Sequence, residues 1–230
     1  MSLPESFCWT RFGTEAGQPI DEILGRKEQE RLANGGTFLW GIGNAVGPSI
    51  RELVRRTRCP EVLFSPVKSA PRLKDVSPPA VAAWTSAVTL EGDLYALPDR
   101  SLVTSAHDPA APRDTHYALV CFSSSPLVPS RGKKEIALVE LRNLLSGRPV
   151  AASQTTAVVQ RNPDCLVKEP GYEVAIRASL TPPYFLTLRD PLPLAHPDLH
   201  PNWTEVVQDA WQRSKANHPP RPLRLSFPEA

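Results

Sequence analysis

Proline sets the first limit on what this chain can build. Twenty-six of its 230 residues are proline, about twice the usual ~5%. A proline inside a helix removes a backbone hydrogen bond and clashes with the preceding turn. Helices are therefore confined to proline-poor stretches. An all-helical bundle is disfavoured, and so is a βαβ repeat along the whole chain. Hydrophobic residues make up 41% and charged residues 22%, enough at this length to bury a core. The expected class is α+β: a single compact domain over 1–230, with many short strands and a few short helices.

Short alternating or branched runs mark strands at 7–12, 37–42, 61–67, 94–97, 102–105, 117–122, 155–160, 172–178 and 184–188. A helix is expected over 20–33, where Ile20, Ile23, Leu24 and Leu32 sit among charges and Asn34-Gly35-Gly36 ends it. Pro48 opens a second helix, through about Arg58. Residues 79–85 suit a helical segment. A C-terminal helix is expected at about 204–216, with Val206, Val207, Ala210 and Trp211 on one side and Thr204 or Asn202 as cap. Over 135–145, Ile136, Val139 and Leu141 fit either period, and the spacing favours a helix. A loop-rich insertion is expected around 65–115, and 191–201 is too proline-dense for regular structure.

The net charge of +2 means that any nucleic-acid contact must come from a local patch. No run of 18 apolar residues offers a membrane span. The first residues have neither a charged segment nor an apolar one of the secretory kind, so a cytoplasmic location is expected. Cys8, Cys59, Cys121 and Cys165 are widely spaced, which favours free thiols over a disulfide framework or zinc site.

Three features bear on function. The densest is Asn34 to Ser49, which holds five of the twelve glycines, at 35, 36, 41, 43 and 47. A strand there runs into glycines and then a helix N-terminus, whose free N–H groups suit an anion. Gly41, Gly43 and Gly47 can also be read as a dinucleotide fingerprint, although no acidic residue ends the following strand. Glycines that simply let the backbone pack closely are the plainer reading. The second feature is charge. Between 48 and 74, seven basic residues (Arg51, Arg55, Arg56, Arg58, Lys68, Arg72, Lys74) face only Glu52 and Glu61, and Arg131, Lys133 and Lys134 form a second cluster. Such patches track phosphates, or are solvated faces. The third is aromatic: Trp9, Trp40 and Trp84, with Phe38 sharing a strand face with Trp40. Tryptophans on adjacent strands can sandwich a flipped base, and each taken singly also suits a core.

The Trp-bearing strand Cys8-Trp9-Thr10-Arg11, the short helix, Gly36-Thr-Phe-Leu-Trp-Gly-Ile-Gly43, and then a basic helix and Val62-Leu-Phe-Ser65 together resemble the PUA-like superfamily. Within it they are similar to EVE, YTH and ASCH-type domains. The resemblance covers about residues 7–70 and, more loosely, 117–122. It implies a small β-barrel flanked by short helices and proline-rich insertions, with a modified base held in an aromatic cage at Trp9 and Trp40.

Catalytic constellations are thin. His107-Asp108 with Asp114 and His116 matches no standard metal site, and prolines interrupt His196 and His200. For an ASCH-type hydrolase, Lys27 or Glu30 would have to act as base. The leading expectation is a non-catalytic reader of modified nucleic acid, DNA ahead of RNA, needing no cofactor or metal. Base contacts would come from Trp9, Trp40, Trp84, Phe38 and Asn44, and phosphate contacts from Arg11, Arg51, Arg55, Lys68, Arg131 and Lys133. The alternatives are a small enzyme acting on a nucleotide or modified nucleoside, a dinucleotide binder using Gly41–Gly47, and an interaction protein that meets its partner through the proline-rich loops and final helix.

Overall fold

Among the described residues, strand and helix alternate at the start of the chain, and strands dominate afterwards. The computed structural model describes residues 3–13, 20–43, 46–67, 81–85, 87–90, 93–96, 103–107, 115–130, 134–162, 165, 171–189, 194–195 and 221–222. The order opens β1 (Ser6–Phe12), α1 (Ile20–Ala33), β2 (Thr37–Ile42), α2 (Gly47–Arg56), β3 (Glu61–Pro66). Next come β4 (Val81–Thr85), β5 (Ala87–Leu90), β6 (Asp93–Ala96), β7 (Val103–His107) and β8 (Thr115–Phe122). Then β9 (Lys134–Ile136), a 3-10 turn at Leu138–Glu140, β10 (Leu141–Asn143), β11 (Thr156–Arg161) and β12 (Tyr172–Glu173) lead to β13 (Ile176–Arg189). Two-residue strands β14 (Leu194–Ala195) and β15 (Arg221–Pro222) follow.

Seven strands form the main mixed sheet, in the order β10-β11-β1-β3-β13-β8-β2. β1 and β3 run parallel, with Trp9 opposite Leu63, and every other neighbour in this path is antiparallel. β2 and β10 are the ends of the path, and no pairing between them closes a barrel among the described residues. The architecture of the described residues is therefore an α+β mixed sheet with two α-helices. β5, β6 and β15 extend the sheet from the far end of β13, and β14-β4-β7 form a separate sheet.

β1 explains where the core lies. It is buried on both faces, and alternation sends its side chains to two clusters. Cys8 and Phe12 join Phe38, Trp40, Phe64, Leu119 and Cys121 beneath Leu24 of α1 and Ile50 and Leu53 of α2. Phe7 and Trp9 join Leu63, Ile136, Leu141, Ala157, Val159 and Val174 on the other side. Gly36 shows why the α1–β2 turn needs glycine: its φ is +99° and a Cβ would lie 2.6 Å from the Phe122 ring.

Several expectations are corrected. Residues 81–85 are a strand, not a helix. The 135–145 segment is two short strands and a 3-10 turn, because Ile136 pairs with Tyr172 and Leu141 with Arg161. The expected strand 172–178 is split between β12 and β13. Within 65–115, β6 and β7 fall at the strands expected near 94–97 and 102–105 and β5 is an addition, and a two-residue strand lies within 191–201. The C-terminal helix expected at 204–216 lies outside the described residues.

The thiols follow the packing. Cys8 and Cys121 are buried, Cys165 is half-buried and Cys59 is exposed. Burial pushes the Cys8 thiol up to about 12 and Cys121 well above its ordinary value. In the native state a thiol-reactive probe at neutral pH is expected to label Cys59 promptly and to reach Cys8 and Cys121 only after unfolding. Prompt native labelling of Cys8, read by peptide mass mapping, would contradict this core.

Candidate nucleic-acid interface

The two tryptophans do not meet. Trp9 is fully buried, donates its Nε1–H to Ser65 Oγ at 2.9 Å and meets Tyr172 edge-on at 5.3 Å. Trp40 is 9% exposed and packs edge-on against Phe64 at 4.9 Å and Phe12 at 6.4 Å. The rings belong to clusters on opposite sides of β1 and β3. The expected cage needs the two indoles to face each other, and strand alternation instead sends Trp9 to one face of β1 while Trp40 packs with Phe12 and Phe64 on the other. Phe38 shares the Trp40 face, as the alternation implies, but is itself buried. Trp84 sits in β4 opposite Thr104 and Leu194. Asn44, Lys68, Arg131 and Lys133 lie outside the described residues.

The dinucleotide reading fails on topology. That fingerprint needs two adjacent parallel strands joined by a helix. Here β2 and β3 are separated by β8 and β13. The glycines serve close packing instead at Gly47, where a Cβ would lie 2.9 Å from the Phe185 ring.

Helix α2 presents a group of arginines to solvent. Ile50 and Leu53 face the core, while Arg51, Arg55 and Arg56 are exposed, as is Arg58 just beyond the helix. This is the amphipathic period at work. Glu52 takes hydrogen bonds from Arg55 (2.8 and 2.9 Å) and Arg56 (2.6 Å), which hold its carboxyl down to about 2. Arg55 and Arg56 thus converge on one carboxylate, and Arg56 also donates to the Gln160 side chain. At the other end of α2, the Val46 N-cap makes no side-chain cap bond, Pro48 occupies the first turn, and no acidic residue stands there. Beside that end, Tyr117 and Phe185 stack with centroids 6.0 Å apart and planes 24° apart. Both are only half-buried, as is Tyr184, whose φ of +68° is uncommon for a bulky residue. Sequence reading did not single out these three rings; the signal available was their position at the ends of expected strands.

A second arrangement lies on α1, which turns a polar stripe inward. Leu24, Lys27, Glu30 and Arg31 are buried, spaced to share one face. Lys27 Nζ donates to Glu30 Oε2 at 2.6 Å, and Glu30 Oε1 accepts the Leu39 N–H at 2.6 Å. Burial lowers the Lys27 pKa, while Glu30 opposes the shift. Arg31 clasps Glu28 and donates to the Ser123 carbonyl, and Glu28 accepts the Leu127 N–H, tying the 123–130 loop to the helix. Leu32, read as part of the apolar face, is instead 60% exposed.

Among the described residues, no three His, Cys, Asp or Glu side chains gather as a metal site, and no helix is long and apolar enough to cross a membrane. Comparison with protein-family models, curated proteins and solved structures found no match to this chain.

Proposed function

We propose that the chain binds nucleic acid along α2. Arg51, Arg55, Arg56 and Arg58 hold phosphates, and the Tyr117–Phe185 pair with Tyr184 offers rings on which a base stacks. The observation that carries this reading is the segregation of α2, with apolar Ile50 and Leu53 inward, three arginines outward and Arg58 exposed just beyond the helix. Neutralised phosphates release counterions, so affinity falls with salt in proportion to the number of contacts. The half-buried rings suit stacking because every base has a π-face. The stacked base is a modified one, and DNA is preferred slightly to RNA.

The test is fluorescence anisotropy with labelled single-stranded DNA, duplex DNA and RNA, each with and without a modified base, between ~50 and ~200 mM salt. Replacing all four arginines by Ala is expected to weaken binding to every sequence and to reduce the salt slope by about three. Phe185→Ala is expected to cost ~1–3 kcal/mol of binding while leaving the slope unchanged. An unaltered slope in the arginine variant, or no binding by the parent chain, removes the reading.

A second reading, turnover of a nucleoside or nucleotide, is favoured by the buried Lys27–Glu30 pair, since burial that lowers a lysine pKa is one way to make a base. Loss of turnover in Lys27→Met, on a nucleoside panel that the parent chain converts, would support it.

A further inference from the structure

Arg11 lies away from the α2 face. Strand alternation puts it on the side of Phe7 and Trp9, whereas α2 packs Ile50 and Leu53 into the other cluster. Its guanidinium is held in two ways. Nη1 donates to the Ala152 carbonyl at 2.6 Å, and the group lies over the Tyr172 ring at 5.2 Å. Tyr172 is in turn supported by the edge of Trp9. The strand beneath is fixed by Arg11 N donating to the Thr155 carbonyl at 2.7 Å and by the Thr10–Thr156 hydroxyl contact at 3.0 Å.

What remains is the opposite edge of the guanidinium. Nε is buried and has no hydrogen-bond partner. A buried donor left unpaired is costly, and in native proteins it calls for an explanation. Nε and Nη2 together form a fork that matches two oxygens of a carboxylate or phosphate. An arginine already fixed at Nη1 and across its face loses little freedom when such a group docks. We propose that Arg11 and Tyr172 form a binding site for an oxyanion, taken side-on by Nε and Nη2. The ligand is a molecule carrying a carboxylate or phosphate group, and the site is separate from the α2 surface.

The experiment follows the Nε–Hε NMR signal of Arg11 in the full chain during titration with inorganic phosphate and, separately, with acetate. A saturable shift in either arm is expected. Saturation with phosphate alone assigns a phosphate-bearing ligand, and with acetate alone a carboxylate. Tyr172→Phe keeps the ring and should keep the binding. Arg11→Lys keeps the charge but loses the fork, so binding read at the Thr155 amide should weaken ~tenfold or more. The proposal is overturned if neither anion saturates the signal, or if Arg11→Lys binds as tightly as the parent.

Discussion

Replacing Glu30 by Ala is expected to destabilise the fold by about 3–5 kcal/mol, the usual cost of breaking a buried ion pair from one side. Glu30 is fully buried and Lys27 is 3% exposed. The substitution leaves the ammonium without its carboxylate and the Leu39 N–H without its acceptor. The second loss matters because, among the described residues, β2 is an end strand that pairs only with β8, and the Glu30 carboxylate covers its open edge. Glu30→Gln retains an oxygen for Leu39 and should cost less. Lys27→Met combined with Glu30→Gln should cost less than the two single effects added, since it removes both charges together. Urea unfolding at neutral pH reads these differences, and a loss below about 1 kcal/mol for Glu30→Ala would show that the pair does not hold the helix.

The pH dependence has a definite sign. The folded Lys27 pKa lies below its unfolded value, so between the two the unfolded chain binds more protons and stability rises with pH. Glu30 opposes that lowering, so Glu30→Ala should move the rise to lower pH. The buried thiols act the other way. The Cys8 value is raised from 9.0 to about 12, so its contribution is complete below about 9 and is lost as pH climbs toward 12.

Local signals gave the early elements well. α1 and β2 have the expected bounds because Asn34-Gly35-Gly36 permits the positive φ angles of the turn between them. α2 begins beside Pro48, where a missing N–H costs nothing. Side-chain orientation was harder to read. On α1, residue polarity alone places Lys27 and Glu30 outside and Leu32 inside, yet the two charges neutralise each other in the interior while Leu32 faces water. The readable hint was their i,i+3 spacing, in line with Leu24. In the 134–143 segment, periodicity could not decide, and partners distant in sequence, Tyr172 and Arg161, set the strands. The tryptophans show the same limit. Alternation tells which residues of one strand share a face, as for Phe38 and Trp40, but not how faces of separate strands correspond. That depends on how the sheet is ordered and curved: among the described residues the hydrogen-bonded path from β2 to β1 runs through β8, β13 and β3, yet Trp40 still meets Phe12 across the core.

Trp9→Ala is expected to cost about 3–5 kcal/mol of folding stability, as for other large aromatic truncations in a core. The indole is fully buried among Phe7, Leu63 and Val159, supports Tyr172, and is the donor to Ser65 Oγ, itself buried. Trp9→Phe separates the contributions: most of the packing stays and the N–H is lost, at about 1–3 kcal/mol. Neither change touches the proposed α2 surface, because Trp9 lies on the far side of β1 from Ile50 and Leu53. Folded Trp9→Phe should therefore bind oligonucleotide with the parent salt slope and affinity, whereas Phe185→Ala should lose affinity. A base held between tryptophans would give the reverse: Trp9→Phe would weaken binding to a modified strand more than it weakens folding. Anisotropy on the folded fraction, set beside the urea midpoint of the same variant, decides between a tryptophan that recognises a base and one that holds the core together.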